Sequence, residues 1–176
     1  MVDVGDTTKA SVHADTIMPP PDSVVAQIPH QSNDTIHDIF QPILAIAPHE
    51  LVTFARTLIG VHYKYASTDP SVGFDCSGFI TYVFNHFHIN VPRSSVDFTN
   101  VGKQISAGEA REGDLILFTG TNDSIRTVGH MGIVTETADT LKFIHSTSGK
   151  ANGVTITPLT AHYQRRFVKV IRVFAG

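Results

Sequence analysis

The chain has 176 residues and a formal net charge of −3 at pH 7, with 41% hydrophobic and 16% charged residues. This length suits one domain with one hydrophobic core, and the composition is that of a soluble globular protein. The largest Lys/Arg cluster is Arg165–Arg166, which argues against a nucleic-acid partner, and no apolar run is long enough to span a bilayer.

Residues 1–46 differ in kind from the rest of the chain. They are polar, they include the proline-bearing segment Met18–Asp22, and they show no sustained hydrophobic period. We therefore predict an extended or weakly ordered N-terminal arm or linker over 1–46 and a single folded domain over 47–176. Charged residues interrupt the first ten positions, where the apolar region of a signal peptide would lie, so we expect no export signal in this chain.

Two helices and a short third one are predicted in the first half of the domain. The first opens at Pro48 and is ended by Gly60, and the second opens at Cys76 after Asp75, a good N-cap residue. A short helix is expected after Arg93. The apolar faces that predict the two longer helices are Leu51, Phe54, Ala55, Leu58 and Ile59 in the first, and Phe79, Ile80, Val83, Phe84 and Phe87 in the second.

Strands are predicted in the second half, beginning with Asp114–Phe118. Gly129–Val134 and Thr140–Ser146 follow and are expected to form an antiparallel hairpin, because the segment between them is polar and suits a turn. Gly153–Ile156 and Phe167–Phe174 complete the set, the latter rich in β-branched residues. Helices first and an antiparallel sheet later is an α+β plan.

Cys76 is the only cysteine of the chain and falls in the first turn of the second predicted helix. Free N–H groups and the helix dipole stabilise negative charge there, so we expect the pKa of this thiol to be lowered. The alternative is a buried cysteine that only packs as a small hydrophobe. The small polar neighbours Asp75, Ser77 and Gly78 leave room for a substrate, and we therefore interpret Cys76 as a candidate nucleophile.

Two histidines lie on the strands of the predicted hairpin. Adjacent strands can bring His130 and His145 together on one face. We predict that His130 takes the proton of Cys76 and that His145 holds the imidazole of His130 in its productive tautomer. His86 and His88 could suggest a metal clamp, but residues at i and i+2 near a helix end do not face one site. No metal and no other cofactor is expected.

Six motifs in one order carry a resemblance to a known family. They are Gly60–Tyr63, Phe74–Phe79, Val91–Ser94, Glu112–Phe118, Gly129–Ile133 and Phe143–Ser146. The chain from about Pro48 to Val173 resembles the NlpC/P60 family of papain-like cysteine peptidases, which cut peptidoglycan stem peptides. The resemblance implies a papain-like fold in which N-terminal helices pack on a central antiparallel β-sheet.

The resemblance also implies a role for each residue of the catalytic set. Cys76 matches the nucleophile, His130 the general base, and His145 the third polar residue that orients the base. Tyr63 matches a tyrosine that shapes the oxyanion and substrate site. Tyr65 is a rival for that role, because the residues after Tyr63 depart from the family pattern.

Four further residues match the substrate-binding part of the family. Asp75 and Ser77 match positions near the subsite that holds the free amino end of a stem peptide. Arg93 and Ser94 match the segment that lines the cleft after the first core helix. These positions predict one side of a substrate cleft.

The implied reaction is two-step acyl transfer on a peptidoglycan stem peptide. The bond is either the D-γ-glutamyl–diaminopimelate bond or a cross-link involving diaminopimelate. Relatives are usually exported or lipid-anchored, so we expect a location in the cell envelope, periplasmic or exported, with or without a lipid anchor. The export signal is not expected in this chain. We also expect a monomer. Two alternatives stay open: a papain-like amidase or acyltransferase on another amide substrate, and a non-catalytic module that binds muropeptides.

Overall fold

The structure, a computed structural model, describes residues 46–174. The predicted arm over 1–46 lies outside the described residues except for Ile46, so the domain boundary stays a prediction. Among residues 46–174 no helix has both the length and the apolar character needed to cross a lipid bilayer.

The helices of the described residues include the three that the sequence predicts and two short ones that it does not. Those predicted are α1 (Pro48–Thr57), α2 (Cys76–His86) and the 3₁₀-helix Ser95–Asn100; those not predicted are the 3₁₀-helix Ala107–Glu109 and α3 (Ala161–Arg166). In α1, Leu51 and Ala55 are buried as expected. Ile59 is 51% exposed, contrary to its predicted place on the apolar face, because α1 ends at Thr57 and the chain turns there.

The strands form a large sheet and a small one. A six-stranded antiparallel sheet has the order β3–β8–β4–β5–β6–β7, and β1 pairs with β2 apart from it. The strands are β1 (Thr68–Asp69), β2 (Gly73–Phe74), β3 (Lys103–Ile105), β4 (Leu115–Thr119), β5 (Val128–Glu136), β6 (Lys142–Thr147), β7 (Gly153–Pro158) and β8 (Phe167–Arg172). The α+β prediction is confirmed.

The order in which the strands begin differs from the prediction. Asp114–Phe118 was expected to open the sheet, but β1, β2 and β3 precede it. These three strands have only two or three residues each, which is too short for the alternation of apolar and polar residues to reveal a strand.

The second helix, α2, begins at Cys76 as the sequence predicts. Asp75 is its N-cap, and the Asp75 carboxylate accepts a 2.6 Å hydrogen bond from the backbone N–H of Gly78. The helix packs on β5 and β6. Of the predicted apolar stripe, Phe79, Ile80, Val83 and Phe84 are fully buried in the main core. Phe87 is the C-cap, just beyond the end of the helix, and is only half-buried against the same core.

The sheet has a core on each face, because side chains alternate along its strands. In β4, Leu115 and Leu117 belong to the core beneath α1 and α2, whereas Ile116 and Phe118 belong to a second core on the opposite face. Tyr163 of α3 packs against that second core. The helices α2 and α3 therefore pack on opposite faces of the sheet.

At Gly78, α2 packs closely against the backbone of the preceding loop. A Cβ atom at this position would lie 2.1 Å from the backbone oxygen of Ser67, so the first turn of α2 would have to move. We expect Gly78→Ala to lower the free energy of unfolding by about 2–3 kcal/mol in urea titrations.

The matched control is Gly108→Ala, where a Cβ atom would meet no atom within 4 Å. We expect this variant to stay within about 0.5 kcal/mol of the wild-type protein. Equal stabilities for the two variants would contradict the close seating of α2.

Candidate active site

Cys76 lies where two neighbouring strands separate. The ladder between β5 and β6 covers Ile133 to Glu136 of β5 and does not continue to residues 128–132. The N-terminus of α2 enters at this place. The Cys76 thiol donates to the backbone carbonyl of Gly129, with 3.9 Å between sulfur and oxygen, and the backbone N–H of Met131 also points to the sulfur. The sulfur thus lies beside the backbone on both sides of His130.

The two predicted histidines meet, as the hairpin suggested. His130 Nε2 and His145 Nδ1 are 2.8 Å apart, and His145 Nε2 is 2.9 Å from the hydroxyl oxygen of Thr157 on β7. His145 is fully buried and His130 is 9% exposed. Because His130 uses Nε2 toward His145, its Nδ1 is the ring nitrogen left for other chemistry.

Both imidazoles lie on the face of the sheet opposite α2. His130 is paired with Phe118 across the β4–β5 ladder, and Phe118 belongs to the second core. Tyr163 packs on this face, with its ring centroid 6.2 Å from that of His130 and 5.5 Å from that of His145. A Cβ atom at Gly129 would lie 2.7 Å from the Cα atom of Gly120, so a residue with a side chain at this position would push β5 away from the end of β4.

The expected lowering of the thiol pKa is wrong for the protein without substrate. Burial raises the pKa of Cys76, and the negative charge of Asp75 raises it further. Backbone N–H groups of Ser77, Cys76 and Met131 act in the opposite direction but do not outweigh burial. The helix N-terminus does supply the expected donors, but desolvation of the thiolate is the larger effect.

The histidine pair is held neutral. Burial lowers the pKa of His130 well below its usual range, and the positive charges of His145, Arg166 and His162 lower it further. Burial, with Arg166, lowers the pKa of His145 to about 3. Together with the raised pKa of Cys76, these shifts favour a neutral thiol beside a neutral imidazole in the resting site.

Two cavities meet at Cys76 and form one cleft. The first, ≈ 560 Å³, contains all of the substrate-binding residues predicted from the sequence; we call it the Asp75 half. The second, ≈ 360 Å³, is lined by His130 and by His162, Tyr163 and Arg166 of α3; we call it the Arg166 half. The predicted residues that line the Asp75 half are Tyr63, Tyr65, Asp75, Ser77, Arg93 and Ser94.

The two candidate tyrosines differ in position. Tyr63 is half-buried and lines both halves of the cleft, whereas Tyr65 is 81% exposed and lines only the Asp75 half. Burial raises the pKa of Tyr63, and the nearby Cys76 and Asp75 raise it further, as their charges disfavour a phenolate. The Tyr63 side chain therefore stays protonated, and it lines the same two cavities as Cys76.

Asp75 and Arg93 form the fixed polar wall of the Asp75 half. The two side chains make a bidentate pair, with N–O distances of 3.0 and 2.7 Å, and Arg93 also donates to the Ser77 hydroxyl at 3.0 Å. Asp75 is only 8% exposed. A bidentate pair fixes direction as well as charge, so this wall is rigid. Ser94 lines the same half.

Three residues of the site are not predicted by the sequence. Thr157 lies one residue beyond the strand predicted to end at Ile156. Tyr163 and Arg166 lie on α3, a six-residue helix too short to show a hydrophobic period. The only local signal at α3 is the basic pair Arg165–Arg166, and two adjacent arginines do not by themselves indicate a cleft.

Comparison with known proteins gives a family-level match. The model of the NlpC/P60 family matches residues 60–172. The chain is 30% identical over 130 residues to the γ-DL-glutamyl hydrolase of Bacillus subtilis, covering 71% of this chain and 30% of that protein. It is 30% identical over 118 residues to murein DD-endopeptidase MepS/murein LD-carboxypeptidase of Escherichia coli, covering 66% of this chain and 57% of that protein.

Solved structures give the same result for the fold. A protein of the NlpC/P60 family from Bacillus cereus matches with a TM-score of 0.66 and 27% identity, over 74% of this chain and 41% of that one. A similar-to-lipoprotein member from Staphylococcus aureus matches with a TM-score of 0.63 and 27% identity, over 73% and 42%. The chain thus covers only 30% of the length of the Bacillus subtilis relative and 57% of the length of the Escherichia coli relative.

The buried neutral histidines make stability depend on pH. The unfolded chain binds protons on these imidazoles near pH 6.5, whereas the folded protein does not, so their contribution is complete above pH 6.5 and is lost as pH falls. For His145, with a folded pKa of about 3, we expect a loss of about 2 kcal/mol between pH 7 and pH 5. Urea titrations at both pH values measure it.

The variant His145→Gln isolates this contribution. We expect the difference in unfolding free energy between pH 7 and pH 5 to shrink by about 2 kcal/mol in this variant. His49→Gln, the same substitution at an exposed position, should leave the wild-type difference unchanged. Equal pH dependence in the wild-type protein and His145→Gln would show that His145 is not held neutral by the fold.

Proposed function

This chain belongs to the NlpC/P60 family, and from that premise we propose that it is a cysteine endopeptidase that hydrolyses peptidoglycan stem peptides. The observation that carries the proposal is the position of the Cys76 sulfur against the backbone that flanks His130, together with the chain of contacts from His130 through His145 to Thr157. The names of relatives support the substrate class: one is called a γ-DL-glutamyl hydrolase and another a murein endopeptidase.

The contacts around the two imidazoles support one assignment of their protons. If the Thr157 hydroxyl accepts from His145 Nε2–H, then His145 Nδ1 is unprotonated and accepts from His130 Nε2–H. His130 Nδ1 is then unprotonated and can act as a base. His145 and Thr157 are positioning residues in this scheme, since they act through His130 rather than on the substrate.

The first half of the reaction forms a thioester. The proton of the Cys76 thiol moves to His130 Nδ1 as the sulfur attacks the carbonyl carbon of the scissile amide. The negative charge that develops on the carbonyl oxygen is met by the backbone N–H of Cys76 at the start of α2 and by the Tyr63 hydroxyl. The C–N bond then breaks, and His130 returns the proton to the leaving amine.

The second half of the reaction releases the acyl group. Water enters after the amine has left, and His130 takes a proton from it as it attacks the thioester carbonyl. The carbon–sulfur bond breaks, the sulfur regains a proton from His130, and the product departs as a carboxylic acid that loses its proton to solvent. His145 favours the two proton transfers to His130, from the Cys76 thiol and from water. Its Nδ1 stabilises the imidazolium form of His130 through the 2.8 Å contact.

The resting charge state suits this order of events. A neutral thiol and a neutral imidazole carry no charge into a buried site, so no desolvation cost is added before substrate arrives. Binding in the cleft brings the amide carbonyl to the sulfur, and thiolate formation is then coupled to attack.

The Asp75 half of the cleft is assigned to the acyl side of the substrate. Asp75 and Ser77, held by Arg93, offer acceptors for the free amino end of a stem peptide, with Ser94 as part of the same wall. The bond is either the D-γ-glutamyl–diaminopimelate bond or a cross-link involving diaminopimelate. A cell-envelope location, with or without a lipid anchor, follows from that substrate, and the monomeric state stays a prediction.

The proposed activity is tested with purified muropeptides, both cross-linked and uncross-linked, analysed by mass spectrometry. We expect the wild-type protein to make a new fragment whose mass names the bond, and Cys76→Ala to make none because it lacks the nucleophile. A folded protein that cleaves nothing but has a readily alkylated Cys76 would favour another amide substrate. A protein that binds muropeptides without cleaving them would be a binding module.

The two tyrosines form a matched pair for the oxyanion assignment. We expect Tyr63→Phe to lower kcat about 100-fold with little change in KM, because it removes one donor to the oxyanion. Tyr65→Phe removes the same hydroxyl from an exposed ring and should stay within about threefold of the wild-type kcat. The reverse ranking would assign the role to Tyr65.

A further inference from the structure

The Arg166 half of the cleft has an uncompensated positive charge. Its lining includes Cys76, His130, Thr147, His162, Tyr163 and Arg166, and none of the described residues that line it is acidic. Arg93, Lys142, Arg165 and Arg172 each have a carboxylate within 4.0 Å, whereas Arg166 has none among residues 46–174. The Asp75 half differs, because its cation and its acid neutralise each other.

The Arg166 guanidinium is fixed by neutral acceptors. Its Nε donates to the carbonyl of Gly120 at 2.9 Å, and Nη2 donates to the carbonyl of Thr119 at 2.9 Å. Nη1 donates to His162 Nε2 at 3.3 Å, and the group lies 5.7 Å from the centre of the Tyr163 ring. A guanidinium has five N–H donors, so two have no acceptor among residues 46–174 and are held in a set direction by the other three.

The Arg166 half is the side on which the leaving amine lies. His130 must protonate the nitrogen of the scissile amide, and of the two cavities His130 lines only this one. The acyl side then extends over Asp75 and Ser77. A group on the first residue after the scissile bond is therefore the part of the substrate that comes closest to Arg166.

We propose that Arg166 binds a free carboxylate on the residue that leaves, so that the charge of this residue determines which substrates are cleaved. The inference rests on the proposed endopeptidase function. A guanidinium with two free N–H groups is matched to a carboxylate, to which it makes short, charge-assisted hydrogen bonds.

This assignment has a specific chemical consequence for either candidate bond. In both, the amine that leaves belongs to diaminopimelate, an amino acid with two carboxyl groups. Where the side-chain carboxyl group is free, the leaving residue is anionic and fits Arg166. Where this carboxyl group is amidated, its negative charge is lost. One of its acceptor oxygens is then replaced by an NH₂ group, a donor that cannot accept from the N–H groups of Arg166. The enzyme should therefore discriminate against amidated peptidoglycan.

The test compares two forms of one substrate. The probes are the stem tetrapeptide L-Ala–γ-D-Glu–diaminopimelate–D-Ala and its cross-linked dimer, each with the side-chain carboxyl group of diaminopimelate free or amidated. For the wild-type protein we expect kcat/KM to be about 10- to 100-fold higher for the free acid. This comparison uses no variant, so it does not depend on the folding of a mutant protein.

Two neighbouring arginines supply the variants. Arg166→Gln should bring the ratio of kcat/KM for the free acid to kcat/KM for the amidated form from about 10–100 down to about 1, because a loss that acts through the imidazoles or the carbonyls affects both forms equally. Arg165→Gln makes the same change on a side chain that is 63% exposed and paired with Asp123, and it should retain the wild-type discrimination. Arg166→Lys keeps the positive charge but lacks the paired N–H donors of a guanidinium, and it should retain part of the discrimination.

The outcomes separate this inference from the function on which it rests. Equal cleavage of free and amidated peptides by the wild-type protein would overturn the inference and leave the endopeptidase assignment intact. An equal loss for both substrates in Arg166→Gln would also overturn it, since that result means that Arg166 only holds the carbonyls of Thr119 and Gly120. Cleavage of neither peptide by the wild-type protein would overturn the proposed function, and the inference would fall with it.

Discussion

The end of the β5–β6 ladder is the feature on which the site depends. Backbone groups of Gly129 and Met131 that would otherwise pair with β6 instead face the N-terminus of α2, and the Cys76 sulfur lies among them. Buried backbone groups need partners, so the helix and the open ladder stabilise each other. The Ser146 hydroxyl reinforces this junction, because it donates at 2.7 Å to the carbonyl of Phe74, just before α2.

Burial decides the electrostatics of the site. The same desolvation that keeps the imidazoles of His130 and His145 neutral also raises the pKa of the Cys76 thiol. A helix N-terminus is often invoked to explain a reactive cysteine, but here the desolvation of the thiolate outweighs its donors. Protein groups that stabilise charge only when it develops lower the barrier more than groups that stabilise it beforehand.

The cleft joins two halves with different charge. In one half Asp75 is neutralised by Arg93, and in the other Arg166 is held only by carbonyls, His162 and the Tyr163 ring. The halves come from different layers of the fold, since Asp75 caps the N-terminus of α2 and Arg166 is the last residue of α3. In the proposed reaction, separate elements on either side of Cys76 recognise the acyl side and the leaving side of the substrate.

The sequence by itself determined the elements with strong local signals. The Asp75 cap, the buried stripe of α2 and the hairpin that carries His130 and His145 were all legible, because capping and periodicity act within a few residues. The identification of Cys76 and these histidines as a catalytic set stays a prediction carried by motif order.

Only the tertiary structure decided the rest. Thr157 beside His145, Arg166 in the cleft and the raised pKa of the thiol all depend on groups far apart in the chain or on burial. Local sequence patterns do not encode desolvation or the meeting of distant strands, since both arise only when the layers pack.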